Sequence, residues 1–191
     1  MTFIDFPLLR TFEVPSSVVD FLNRKFDEHK KCYQSFEEIN SFHNKRIDSG
    51  YQTNNLLTWE DEEYKEFIDI QLLEMISNQL SVPKSKITYF WNHMLEYNNG
   101  GEMDYHKHYH NEDFVLFIYL SSCSTGNTVF HLNDYNEEYS NRTVIKLKPE
   151  KEMGAIFSSL ILHKGEYTEE NKRIYVVGIR VDTQKWDASL Q

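Results

Sequence analysis

The period of the hydrophobic pattern changes once along this chain, near Pro83, and that change limits the folds it can adopt. Ahead of Pro83 the apolar residues recur at helical spacing. Val18, Val19, Phe21, Leu22 and Phe26 follow a helix-start signal at Val14-Pro-Ser-Ser17 and predict a helix over 15–42. Tyr64, Phe67, Ile68, Leu72, Leu73, Ile76 and Leu80 form a second apolar stripe, with acids in its first turn, and predict a helix over 60–80. Beyond Pro83 the runs are short and β-rich, at 87–97, 113–121, 128–132, 143–147, 153–157 and 173–181. Asn98-Asn-Gly-Gly101, Ser124-Thr-Gly-Asn127 and Lys148-Pro-Glu150 punctuate them as turns. Helices followed by about seven or eight short strands predict a mainly β fold, a jelly roll or barrel with the helices packed on it.

The 191 residues suit one domain, with a helical part over 1–82, a β core over 83–181 and a tail over 182–191. A net charge of −10 gives no electrostatic footprint for nucleic acid. No apolar run is long enough to span a bilayer, and the N-terminus lacks the pattern of a signal peptide. Cys32 and Cys123 lie far apart and suggest no disulfide framework, so reduced thiols and a cytoplasmic setting are expected. Two polar, non-periodic stretches, 32–55 and 133–141, are candidate lid loops.

Chemistry is concentrated in a histidine ladder. His106, His108 and His110 alternate in Asp104-Tyr-His-Lys-His-Tyr-His-Asn-Glu-Asp113, and His163 follows much later. Alternate residues of a strand share a face, so the ladder presents imidazoles together. Three imidazoles on one face make a costly core and a natural beginning for a metal site. A second strand supplying one more ligand would leave the remaining positions open, the arrangement used by non-haem iron oxygenases with two histidines and an acid. The candidate metal ligands are His108, His110 and His163, with Glu112 or Asp113 as possible acids. His106 is expected to face solvent or the site mouth, His93 to be packed or on the surface, and His131 to end a strand. Arg173, ten residues after His163, can grip a carboxylate with both arms of its guanidinium, and a ligand held by both metal and Arg173 would be a short dicarboxylic keto acid such as 2-oxoglutarate.

These residues resemble the Fe(II)/2-oxoglutarate-dependent oxygenases, closest to a group of such oxygenases in bacteria and in phages of marine bacteria. Over roughly 50–181 the blocks stand in the family's order: Gly50-Tyr-Gln-Thr53; Tyr89-Phe-Trp-Asn92 with Gly100-Gly101; His108-Tyr-His-Asn111 with Ile118-Tyr-Leu120; Gly126-Asn-Thr-Val-Phe130; and Pro149, Gly154-Ala-Ile-Phe157, Leu162-His163 and Arg173. The resemblance implies a double-stranded β-helix core of the cupin or jelly-roll type. It implies Fe(II) and dioxygen, with 2-oxoglutarate as cosubstrate, and oxidative decarboxylation coupled to oxidation of a C–H bond, most simply a hydroxylation, in a peptidyl or small-molecule substrate. It makes His108 and His163 iron ligands, and gives Arg173 and Tyr119 to the far carboxylate of 2-oxoglutarate. His110 stands where most of the family has Asp or Glu, and Tyr175 where a serine is usual.

Two other readings fit the same residues. A cupin-like metal enzyme would use three histidines without 2-oxoglutarate. A non-catalytic jelly-roll binding module would hold no tight metal.

Overall fold

The computed structural model describes residues 5–6, 8–28, 33–35, 50–108, 111–132 and 143–182. Twelve strands are present among them: β1 (Asp5–Phe6), β2 (Leu9–Glu13), β3 (Tyr33–Ser35), β4 (Gly50–Thr53), β5 (Ile87–Tyr97), β6 (Met103–His106), β7 (Phe114–Tyr119), β8 (Thr128–His131), β9 (Val144–Leu147), β10 (Met153–Ser158), β11 (Leu162–Gly165) and β12 (Lys172–Val181). They form a large sheet, in the order β1-β2-β10-β7-β12-β5-β4-β3, and a small one, β6-β11-β8-β9. All the pairings are antiparallel. Antiparallel strands can bury both faces where other layers cover them, and here two layers do.

One face of the large sheet packs on the helices. Helix α1 (Ser16–Glu28) presents Val18, Val19, Leu22 and Phe26 to it. Helix α2 runs over 62–80 with a π-helical middle, Phe67–Leu72, between α-helical Glu62–Glu66 and Leu73–Leu80. Asp61 caps its start by accepting from the Tyr64 amide at 2.9 Å. Ser81, in the left-handed region at φ 55°, ends it just before Pro83. Leu116, Ile118, Tyr175, Val177 and Ile179 meet the helices from the sheet, and Tyr64 and Tyr175 join hydroxyls at 2.9 Å beneath them. The other face packs on the small sheet through Leu95, Val115, Phe117, Phe130, Phe157 and Ile174. The expected mainly β fold with helices against a jelly-roll core is the fold observed.

Two expectations need correction. Helix α1 stops well short of residue 42, because the stripe ends at Phe26 and the next five residues are all charged or histidine. Residues 33–35 are instead a strand paired with β4. The predicted runs also omitted β1, β2 and β4 ahead of Pro83, and, beyond it, β6 and β11, which are short and polar and show no apolar alternation. The candidate lid at 133–141 and most of the one at 32–55, like the tail beyond residue 182, lie outside the described residues.

Candidate metal centre and its cavity

Two of the omitted strands, β6 and β11, bring the histidines together. β6 and β11 are antiparallel neighbours, with His106 opposite His163, and their ring centroids lie 4.2 Å apart. His108 follows two residues past the end of β6, and its amide donates to the Ser159 carbonyl at 3.0 Å, which keeps it beside the sheet. Its ring lies 5.1 Å from that of His106 and 5.2 Å from that of His163. One nitrogen from each of the three can be chosen so that all lie within 4.8 Å of one another. His110, predicted as a ligand, lies outside the described residues, while His106, expected to face solvent or the site mouth, is one of the three.

Local hydrogen bonds aim two of these rings. His163 Nδ1 lies 2.9 Å from the Ile161 carbonyl and His106 Nδ1 lies 2.8 Å from the Asp104 carbonyl. A carbonyl only accepts, so each Nδ1 carries the proton, and in the neutral His163 ring Nε2 is the nitrogen that can bind a metal. Burial, and then the neighbouring His106 and His108, push the His163 pKa well below the ordinary histidine range. It is therefore the neutral form, the one that binds metal. Three imidazoles converging on one point fit a first-row divalent ion such as Fe(II), the metal that the sequence resemblance implies.

Of the two candidate acids, Asp113 is engaged elsewhere. Its Oδ2 accepts from the Val181 amide at 2.8 Å at the end of β12. Glu112 turns inward. Asn111 takes a left-handed backbone at φ 78°, which asparagine tolerates. The Asp113 amide is then tied to the Ile179 carbonyl at 2.8 Å, and the Asp113 carbonyl accepts from the Ser159 amide at 3.0 Å. Held on both sides, Glu112 buries its side chain completely, with Oε1 3.4 Å from His108 Nδ1.

The histidines open into a cavity of about 340 Å³ between the two sheets, a size suited to a small ligand. Trp91 forms part of its wall and stacks on His108 at 5.4 Å and on His93 at 5.5 Å. His93 also lines it, with Nδ1 3.0 Å from the Thr53 carbonyl, and burial lowers its pKa.

Lys172 lines the same cavity and is fully buried. Its Nζ donates to the Gly126 carbonyl at 2.7 Å and sits 4.4 Å from the centroid of the Tyr97 ring. Burial pushes its pKa down to about 8, against the opposing pull of Cys123 and Glu166.

Arg173, the expected grip on a carboxylate, is on the other face of β12, and here the sequence reading is corrected. Lys172, Ile174 and Val176 line the cavity, so strand alternation turns Arg173 toward the helices. Its Nε donates to Glu96 Oε2 at 2.7 Å, its Nη1 lies 3.0 Å from Asp27 Oδ1, and its guanidinium stacks 4.4 Å from the centroid of the Phe26 ring. Tyr119 is on the cavity side of β7 but behind the wall. Its hydroxyl lies 2.5 Å from Oγ1 of Thr128, and it is Thr128 that lines the cavity. Burial raises the Tyr119 pKa.

Sequence reasoning thus missed Lys172, the place of His106 within the cluster itself, and the roles of Trp91 and His93 in the wall. For Lys172 a signal was present: Tyr175, Val177 and Ile179 share one face of a strand, which puts residue 172 on the opposite face from residue 173.

No family model and no curated protein matches this chain. Solved structures do match it. A prolyl hydroxylase from Trichoplax adhaerens, in complex with a hypoxia inducible factor peptide fragment, aligns with a TM-score of 0.68 at 12% identity, over 96% of this chain and 87% of that one. A Pseudomonas putida prolyl-4-hydroxylase aligns with a TM-score of 0.67 at 12% identity, over 91% and 92%. HygX from Streptomyces hygroscopicus, with nickel and 2-oxoglutarate bound, aligns with a TM-score of 0.64 at 9% identity, over 92% and 83%. The chain therefore has the fold of the prolyl hydroxylases and 2-oxoglutarate/Fe(II) oxygenases, as its ordered sequence blocks implied.

Proposed function

We propose that the chain is an Fe(II)- and 2-oxoglutarate-dependent oxygenase that oxidises a C–H bond, most simply by hydroxylation, of a peptidyl or small-molecule substrate. The supporting observation is that one cavity holds both a convergent set of three histidines and a buried lysine whose contacts are a neutral carbonyl and an aromatic ring. His106, His108 and His163 would hold the metal. Lys172 would bind the far carboxylate of 2-oxoglutarate, because a buried ammonium without a charged partner is costly until an anion arrives. When bound, Fe(II) supplies the redox centre for decarboxylation of 2-oxoglutarate to succinate and for substrate oxidation. Phe117, Phe157, Val115 and Ile174 give the cavity an apolar lining that excludes water around the two charged ends. Trp91 and His93 offer flat surfaces against which a substrate can be placed.

A cupin-like metal enzyme without 2-oxoglutarate is the competing reading, favoured by the all-histidine donor set. Lys172 separates the two, since only the first reading has a use for it. The test is anaerobic titration of the apoprotein with Fe(II) and then 2-oxoglutarate, monitored by the visible charge-transfer band of the chelate. The band is expected. Iron binding without a band would remove 2-oxoglutarate from the reading, and no metal binding would overturn it entirely.

A further inference from the structure

Glu112 is an acidic group at the centre that the proposed function leaves unused. Its side chain is fully buried and lines the cavity. Neither carboxylate oxygen has a hydrogen-bond partner among the described residues. The nearest polar contact is His108 Nδ1, at 3.4 Å from Oε1 without hydrogen-bond geometry. A carboxylate buried in this way destabilises the folded chain unless something cationic completes its surroundings.

The Nδ1 atoms of the other two histidines supply the context. Those of His163 and His106 are held by the Ile161 and Asp104 carbonyls, which turns the Nε2 edge of each ring away from those carbonyls. His108 has the same requirement, and the Glu112 carboxylate lies 3.4 Å from its Nδ1. Two rings are thus oriented by neutral acceptors and the third by a charged one. The charge has a chemical consequence. Three neutral imidazoles leave the full charge of a divalent ion uncompensated in an apolar cavity. A carboxylate accepting from Nδ1–H makes its imidazole a stronger donor and brings a negative charge one ring away from the ion.

We propose that Glu112 is a positioning residue of the metal centre: it fixes His108 as the Nδ1–H tautomer with Nε2 toward the metal, and it supplies the negative charge that the three-histidine set lacks. This rests on the metal site proposed above. It goes beyond that site in dividing the acid's two usual tasks, because the charge sits behind a ligand and the third coordinating position remains a histidine. With a metal held by His108, a hydrogen bond from Nδ1–H to the Glu112 carboxylate would supply that charge.

The probe is Co(II) alone, added to the full-length apoprotein and read by its visible ligand-field absorption, together with thermal melting of the metal-free chain. Wild type is expected to bind Co(II). Glu112→Gln keeps shape and acceptor but removes the charge, and it is expected to bind about 10–100-fold more weakly. The same variant is expected to melt higher than wild type without metal, because an uncompensated buried charge has gone. A residue needed only for packing would not move the two readouts in opposite directions. Unchanged Co(II) affinity in Glu112→Gln, or a fall in both affinity and melting temperature, overturns the proposal while leaving the oxygenase reading intact. Failure of wild type to bind Co(II) overturns the oxygenase reading itself. Should the variant not fold, ¹⁵N NMR of the histidine rings in Zn(II)-loaded wild type decides. His108 with a protonated Nδ1 and a metal-bound Nε2 supports the proposal, and the reverse tautomer ends it.

Discussion

Lys172 and Arg173 are consecutive cations on one strand, and they end in opposite surroundings. Arg173 faces the helices and is already matched, with Glu96 and Asp27 on its guanidinium and Phe26 beneath it. Lys172 faces the cavity, is more deeply buried, and meets only a carbonyl and a ring. The matched cation stabilises the fold and the unmatched one is available to a ligand. A basic residue at a plausible distance from a metal-binding histidine is therefore weak evidence for a ligand contact until its face is known. The decisive quantity is the parity of the strand, and after parity, whether the protein's own acids already occupy the charge.

The strongest way to break this comparison is to exchange the two losses. Lys172→Met should weaken 2-oxoglutarate binding to the Fe(II)-loaded protein by about 100-fold, the range for one charge-assisted contact in a buried site. Arg173→Met should leave that affinity within about threefold and instead lower stability by about 2 kcal/mol. That loss arises because Glu96, whose side chain is 7% exposed, loses its cation. The figure is set below that for a fully buried pair because the Arg173 side chain is 24% exposed. Anaerobic calorimetry and urea unfolding of both variants give the answer. An Arg173 variant that folds normally and no longer binds 2-oxoglutarate would reverse the assignment.

A subtler test uses pH. The folded pKa of Lys172, about 8, lies below the ordinary 10.5. Between these values the unfolded chain holds the extra proton, so stability should rise with pH across that window, by at most about 3 kcal/mol. Below pH 8 the cost of burying the ammonium is fully present. Affinity for 2-oxoglutarate should move the other way and fall as pH climbs through 8, because the free lysine loses the charge that the carboxylate needs. Both slopes should vanish in Lys172→Met. Unfolding and binding curves that stay flat in wild type from pH 7.5 to 10 would mean that Lys172 is not the group described.

The architecture was largely legible in the sequence, and the site only in part. The one change of period near Pro83 separated the two helices from β5 to β12, because long apolar stripes and alternating runs are what burial on one face produces, but it gave no sign of β1 to β4, which precede it. The same rule hid β6 and β11. Their residues face the cavity as His106, His163 and Lys164, so they never alternate apolar with polar. The histidine register was left open for a related reason. Alternation along Asp104–His110 admits either adjacent pair as ligands, and the pairing of His106 with His163 brings the first pair to β11, while His110 lies outside the described residues. Glu112 was visible as an acid near a histidine, but its burial depends on the left-handed turn at Asn111. The Arg173 expectation rested on spacing alone, and one residue of spacing in a strand is the difference between two faces.

The smallest effect expected is at Gly178, which shares the cavity-side parity of Lys172 and pairs directly with Trp91 across β5 and β12. A Cβ built there would lie 2.5 Å from Trp91 Cε2 and 2.6 Å from Nε1, closer than carbon atoms tolerate. Glycine thus lets the indole lie flat against the sheet, in the position where it stacks on His108 and His93. Gly178→Ala should push the indole off that wall, at a cost of about 1–3 kcal/mol of stability, typical of overpacking. Co(II) affinity should fall only a few-fold, because Trp91 supports His108 without ligating anything. Val177→Ala is the matching change on the helix side of the same strand. It removes fully buried methyl groups from the helix-side core, and it should lower stability by a similar amount while leaving Co(II) affinity unchanged. Parallel melting and Co(II) titration of the two variants would show equal stability losses and unequal metal affinities if the two faces of β12 serve separate ends. Metal affinity that falls equally in both would mean that β12 transmits packing strain through the sheet, and the division of labour between its faces would fail.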